Sequence, residues 1–251
     1  KNRPNLRIET DAMVLNILFD GKSASGIRFR QYGQEKIVHA GGEIVLAGGA
    51  INSPQMLQLS GIGPAEHLRA HGIDVVHDNP GVGRDLQDHY QARIVMELKR
   101  SISVNDDVNN PLRLALTGLR YALFRRGPMT FSSGHVGVFT KVLPQSATPD
   151  AQVHFIPFSA TKSGGDLHPY SGVTAAVCQL RPESRGEVMI ASSDPLEHPK
   201  ITPNYLSTEY DRRIMVEGLK MVRRIAHAPA FARHVAMERE PGAENVADET
   251  L

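Results

Sequence analysis

Apolar positions in the first third of the chain come in short blocks punctuated by glycine and proline. Residues 6–10, 13–19 and 25–32 read as strands, with Asp20-Gly21 as a turn between the last two. Residues 44–46 form a continuous apolar run, as expected of a strand buried on both faces, and Gly48-Gly49 ends it where side chains would obstruct a close neighbour. Ser53 suits an N-cap and Pro54 a first helical residue, because proline lacks the amide that would go unpaired there. Ser60-Gly61-Ile62-Gly63 then breaks the helix after about two turns. Pro64 restarts a second helix, carried by Ala65, Leu68 and Ala70 and stopped at Gly72. A further strand over residues 73–77 leads into the glycine loop Gly81-Val82-Gly83.

Beyond residue 90 the pattern changes. Residues 91–98, 135–142, 152–158, 172–180 and 187–191 read as strands of an antiparallel sheet. An amphipathic helix spans residues 111–126, with Leu112, Leu116, Leu119 and Leu123 on one stripe. Arg125 and Arg126 close it where the helix dipole favours cations, and Gly127-Pro128 stops it. A second long helix covers residues 209–226 and buries Ile214, Leu219, Val222 and Ile225.

With 251 residues the chain can form one large or two modest cores. Its 28 Lys plus Arg nearly cancel 27 Asp plus Glu, so no global field points to nucleic acid or to an anionic membrane. No apolar run approaches the roughly 20 residues of a membrane span. Cys178 is the single cysteine and reads as a buried strand thiol, which excludes an internal disulfide and a cysteine-rich zinc site. His67 and His71 stand four apart on a predicted helix, but no third ligand is placed to complete a metal site with them. His135, His154 and His168 read as hydrogen-bonded histidines rather than bases.

The run from Gly49 to Gly63 carries the most specific information. Its Gly49-Ala50, Ser53-Pro54, Met56-Leu57 and Ser60-Gly61-Ile62-Gly63 resemble the second signature of the glucose–methanol–choline (GMC) oxidoreductases, FAD-dependent alcohol dehydrogenases and oxidases. Further landmarks agree. Gly81-Val82-Gly83 through Asp88-His89 resembles the family's G-V-G-x-N-L-x-D-H run, with Asp85 in place of asparagine, and Arg181-Pro182, Ser184-Arg185-Gly186, Asp194-Pro195 and Pro203-Asn204-Tyr205-Leu206 match recurrent positions.

The resemblance implies a mixed α+β and α/β fold. Residues 1–90 would be part of a Rossmann-like FAD-binding domain, and residues 91–251 an antiparallel-sheet substrate domain with a polar tail. Val14 would meet the adenine in a small β-meander, although plain sheet core explains it as well. Ala47, Gly48, Gly49 and Ser53 are the other cofactor-binding positions carried over. No G-x-G-x-x-G fingerprint opens a helix, and no H-P-x-G-T-C-R-M-G run follows. The expectation is therefore an internal piece of a longer enzyme, with no catalytic residue of its own, no metal and weak FAD binding by itself. The intact protein is expected to oxidise the CH–OH group of a small alcohol, choline-dehydrogenase-like, by hydride transfer to FAD. An unidentified acceptor would reoxidise it. No nucleic acid or transmembrane segment is implied; the location is expected to be cytoplasmic, with peripheral membrane attachment as the alternative. Two other readings stay open: a hydroxynitrile lyase of the same fold, and an inactive cofactor-free fragment.

Overall fold

The computed structural model describes residues 3–130, 132, 134–162, 164–245 and 247. They form two compact units. The first runs to Gln87 and takes up Ser184–Tyr205; the second comprises Asp88–Glu183 and the chain from Leu206 onward. The single boundary expected near residue 90 therefore misses the return of residues 184–205 to the first unit.

In the first unit, β1 (Ala12–Asp20), β2 (Ser23–Gln31) and β3 (Gln34–His39) make an antiparallel meander in sequence order. The first turn falls at Gly21, whose φ of +57° a glycine adopts freely. The expected strand at residues 6–10 is irregular instead, and β3 takes the third place in the sheet. Gln31 holds that irregular segment through its amide, which donates to Glu9 Oε2 at 3.1 Å and to the Thr10 carbonyl at 2.9 Å. The β1–β2 register slips between Val14 and Asn16, so Leu15 is an extra residue and turns into the core, 7% exposed.

The helix α1 (Gly49–Leu59) begins four residues before Ser53. Gly49, at φ +75°, makes the turn into it, so Pro54 lies inside the helix and Ser53 is not its cap. Residues 44–46 run into this turn with no strand partner, and Val45 is 81% exposed, so the buried strand expected there is not formed. A parallel strand needs neighbours to bury it, and none pairs with this run among the described residues. Two short strands, β4 (Ile62–Gly63) and β5 (His77–Asp78), pair in parallel around α2 (Ala65–Ala70). Only the end of the strand expected over residues 73–77 is realised.

The second unit is built on β6 (Gln91–Leu98), β7 (Val136–Thr140), β8 (Ala151–Ile156) and β9 (Gly172–Gln179). The strand expected at residues 187–191 does not join them. It is β10 (Glu187–Met189), paired in the first unit with β11 (Lys200–Thr202). The fifth strand of the sheet is β12 (Val235–Glu240), and the antiparallel order is β12-β6-β9-β8-β7. The central β9 is buried along its whole length. Cys178 on it is 1% exposed, and burial raises its thiol pKa, which keeps it protonated and unreactive.

Among the described residues four α-helices complete this unit: α3 (Val104–Asn109), α4 (Pro111–Phe124), α5 (Glu209–Ala226) and α6 (Pro229–Ala232). Thr208 caps α5 by accepting from the Asp211 amide, while Glu209 and Asp211 near its start and Arg223 and Arg224 in its last turn suit the helix dipole. Ile214, Leu219 and Val222 enter the core as expected, but Ile225 is 44% exposed. The helix lies against β9 at Gly218, where a Cβ would overlap Val177 Cγ1. Asp211 is 1% exposed and accepts from Gln179 Nε2 at 2.7 Å and the Glu183 amide at 2.9 Å, so its charge is well hydrogen-bonded.

Candidate functional site

The first unit contains a mainly apolar cavity of about 400 Å³, within the range of small-molecule sites. Three pieces of the unit wall it. β1 and β2 supply Met13, Val14 and Ile27; residues 44–48 supply an extended ledge that includes Ala47 and Gly48; α1 supplies Asn52, Ser53, Gln55, Met56 and Leu59. Residues 195–198 close it, and Gln55 Nε2 donates to the Glu197 carbonyl at 2.9 Å. Four of the five expected cofactor positions, Val14, Ala47, Gly48 and Ser53, thus share one cavity. Gly49 does not line it, and a Cβ there would meet nothing within 4 Å, so its contribution is its φ of +75°.

Gly48, besides lining the cavity, packs closely against the start of α1. A Cβ would face the helix start, 3.1 Å from Asn52 Cβ and 3.2 Å from the Ser53 nitrogen. A side chain at Gly48 therefore presses on the helix start as well as on the cavity.

Two polar side chains that the sequence reading passed over hold these walls together. Gln58 is fully buried. Its Nε2 donates to the Val188 carbonyl at 2.9 Å and the Pro54 carbonyl at 3.2 Å, and its Oε1 accepts from the Ile190 amide at 3.1 Å. Ser60 donates to the Met56 carbonyl at 2.6 Å and accepts from the Ile17 amide at 2.9 Å. The first ties α1 to β10 and the second ties it to β1. The signal available in sequence was a lone glutamine inside the apolar run Met56-Leu57-Gln58-Leu59. Gly83 belongs to the same latch: at φ +83° its amide neighbourhood is so close that a Cβ would overlap the Val188 carbonyl and come within 2.8 Å of Gln58 Nε2.

The glycine loop and the Ser184-Arg185-Gly186 turn meet at a second, charged cavity of about 350 Å³ that includes Arg84, Asp85, Arg185 and Asn204. Leu86 and Gly186 exchange backbone hydrogen bonds at 3.0 and 2.9 Å, and Arg84 pairs with Glu187. Asp85 has φ +58°, a left-handed conformation that asparagine and aspartate both tolerate, which explains how aspartate fits there.

His67 and His71 stack edge to face at 4.6 Å between ring centroids, and His67 Nε2 is buried without a partner. No group of three or more His, Cys, Asp or Glu side chains able to hold a metal occurs among the described residues. Burial, helped by the neighbouring His71, pushes the His67 pKa below 6.5. The folded state then binds this proton less readily than the unfolded chain, so stability should fall as the pH drops through and below about 6.5. In urea titrations across that range, His67→Gln is expected to show a shallower dependence on pH; an unchanged slope would remove His67 as its source. In the second unit His168 stacks on Tyr170 at 4.9 Å, His154 lies on β8, and the His135 amide donates to the Phe155 carbonyl at 3.0 Å.

Comparison with known proteins converges on one lineage. Residues 1–91 and 182–251 match the N- and C-terminal family models described as GMC oxidoreductase. The chain is 36% identical over 253 residues to an alcohol dehydrogenase [acceptor] of Pseudomonas putida, covering 100% of this chain and 46% of that protein. It is also 36% identical over 249 residues to an oxygen-dependent choline dehydrogenase of Staphylococcus xylosus, covering 99% and 44%. The chain spans about half the length of the curated relatives it matches. Among solved structures, formate oxidase shares the fold with a TM-score of 0.91 at 23% identity, covering 99% of this chain and 48% of that one. An FAD-dependent oxidoreductase from Chaetomium thermophilum gives 0.83 at 25% identity, covering 98% and 49%. No helix among the described residues is long and apolar enough to cross a membrane. The glycine-led signature of α1, the cavity it builds with the meander, and the two family matches give a single answer: this chain belongs to the GMC oxidoreductases.

Proposed function

We propose that the polypeptide containing this chain is an FAD-dependent oxidoreductase that oxidises the CH–OH group of a small alcohol to the aldehyde or ketone, and that the first-unit cavity holds the adenosine end of the cofactor. The observation that carries this reading is the convergence of Val14, Ala47, Gly48 and Ser53 on one cavity in a GMC oxidoreductase. The lining suits that group. Val14, Ile27 and Met56 offer apolar walls to a flat ring, while Asn52 and Ser53 offer hydrogen bonds to hydroxyls or ring nitrogens. Bound flavin would supply the two-electron acceptor for the alcohol carbon. The chain's own share of the mechanism is binding and orientation: Gln58 and Ser60 fix the cavity walls, and the Gln55 amide holds the closing segment through the Glu197 carbonyl.

The two relatives, one an alcohol and one a choline dehydrogenase, are equally similar to this chain, which supports an alcohol substrate without favouring choline. None of the relatives named above is a lyase, so hydroxynitrile cleavage has no specific support. β9 is too deeply buried to line an open substrate pocket along its length, whereas Val136 and Phe139 on the edge strand β7 are 55% and 60% exposed. This contrast favours β7 over β9 for the residues that select the alcohol.

The test uses the full-length polypeptide. It should purify with flavin and reduce a dye acceptor when given primary alcohols or choline. Flavin-loaded protein that reduces no dye with any alcohol would reject the activity. Ala47 is exposed and lines the cavity, so Ala47→Phe should lower flavin content while leaving stability within about 0.5 kcal/mol. Full flavin occupancy in that variant would move the adenosine elsewhere.

A further inference from the structure

The helix α4 has no buried residue. Leu112, Leu116, Leu119 and Leu123 stand on one stripe, within about 60° of each other at 3.6 residues per turn, and are between 55% and 77% exposed. A helix of 14 residues gains little from local propensity in water, and most helices are held by burying such a stripe. Here Asn110 caps the start, accepting from the Leu112 and Arg113 amides at 3.0 and 3.1 Å, and Arg125 closes the end at φ +53°. The helix is well formed and its apolar side faces outward.

The charge around it is segregated. The near-zero net charge of the whole chain conceals a stretch, residues 108–149, with five Lys and Arg and no Asp or Glu. Arg113 and Arg120 lie in the row beside the leucine stripe, and Arg125 and Arg126 follow at its end. None of these four arginines has an ion-pair partner among the described residues. On the preceding helix Asp106 is turned inward, accepting from the Ser103 amide at 2.9 Å, which leaves Asp107 as the one carboxylate of α3 not engaged by that cap.

We infer that α4 is an interfacial anchor that lies flat on an anionic lipid bilayer, with the four leucines entering the acyl boundary and the arginines on the headgroups. An apolar stripe flanked by cations is the composition of such helices. Two copies of this chain meeting through the stripe would bring the arginines of both helices together, a repulsion that an anionic surface turns into attraction. At about 1.5 Å per residue the helix is roughly 21 Å long, too short to cross a bilayer and long enough to lie along one.

The experiment is sedimentation of the full-length polypeptide with vesicles of phosphatidylcholine, alone or with added phosphatidylglycerol. Binding is expected to the mixed vesicles, to be weak on phosphatidylcholine alone, and to fall as salt is raised. The double variant Arg113→Gln/Arg120→Gln should reduce partitioning roughly twenty-five-fold, about fivefold for each cation near the surface. Leu116→Glu/Leu119→Glu should abolish it. Both variants should keep the parent circular dichroism and melting temperature, since the altered side chains are exposed. The inference is overturned if the parent stays in the supernatant with phosphatidylglycerol present, or if the variants sediment as the parent does. It is equally overturned if the stripe instead drives a dimer that the leucine variant dissolves while vesicles bind neither protein.

Discussion

Gln58→Leu should destabilise the first unit by about 3 kcal/mol and loosen the wall of the candidate cofactor cavity. The substitution nearly conserves volume, so the loss comes from hydrogen bonding rather than from a void. Leucine leaves the Val188 carbonyl without the Nε2 donor and the Ile190 amide without the Oε1 acceptor, both deep in the unit. Each buried polar group left unpaired costs about 1–3 kcal/mol. Gln58→Glu separates the two contributions, because a carboxylate still accepts from Ile190 but cannot donate to Val188 when ionised. Chemical denaturation of the full-length protein should rank parent, then Glu and Leu well below it, with flavin content falling in the same order. A leucine variant as stable as its parent would show that β10 and α1 do not depend on this amide.

Gly218→Val is expected to cost the second unit about 2–3 kcal/mol, and the deficit should shrink when Val177→Ala is added. Even the first carbon of a side chain at Gly218 overlaps Val177 Cγ1, and Val177 is fully buried on the central strand with no room to turn aside. Overpacking of a filled core typically costs about 1–3 kcal/mol. Valine improves little on glycine in helix propensity, so it offers scant compensation. Removing the Val177 methyls restores room for the new ones. The double variant should therefore recover most of the loss, a coupling that a double-mutant cycle reads directly. Additive costs would place the origin of the effect elsewhere than in the α5–β9 contact.

What the sequence made legible follows from where each signal originates. The helix at residues 209–226 is found with its observed bounds because cap, dipole charges and apolar stripe are all local to it. β1, β2, β6, β8 and β9 are legible for the same reason, since their apolar character marks them along the chain. β3 was not, because all six of its residues are exposed, and neither was β12, whose apolar Val235-Ala236-Met237 is followed by the charged Glu238-Arg239-Glu240 with no alternation to mark a strand. Residues 44–46 err in the opposite direction: an apolar run reports a tendency to be buried, and burial needs a partner strand. Ser53-Pro54 imitated a helix start, but the positive φ of Gly49 had already turned the chain into the helix. The candidate site shows the same division. Val14, Ala47, Gly48 and Ser53 line one cavity, whereas Gln58 escaped notice because two of its three partners become visible only once residues 188 and 190 return to the unit.

That return has a consequence for the newborn chain on the ribosome. Gln58 and Val188 are 130 residues apart, and the intervening stretch is mostly the second unit. At roughly 5–20 residues per second, α1 waits on the order of ten seconds before its buried amide can meet its partners. Throughout that interval the first unit lacks two of its strands and the Gln58 amide lacks its partners on residues 188 and 190, so slowing translation of the stretch between Ser60 and Val188 lengthens the period in which a chaperone must shield it.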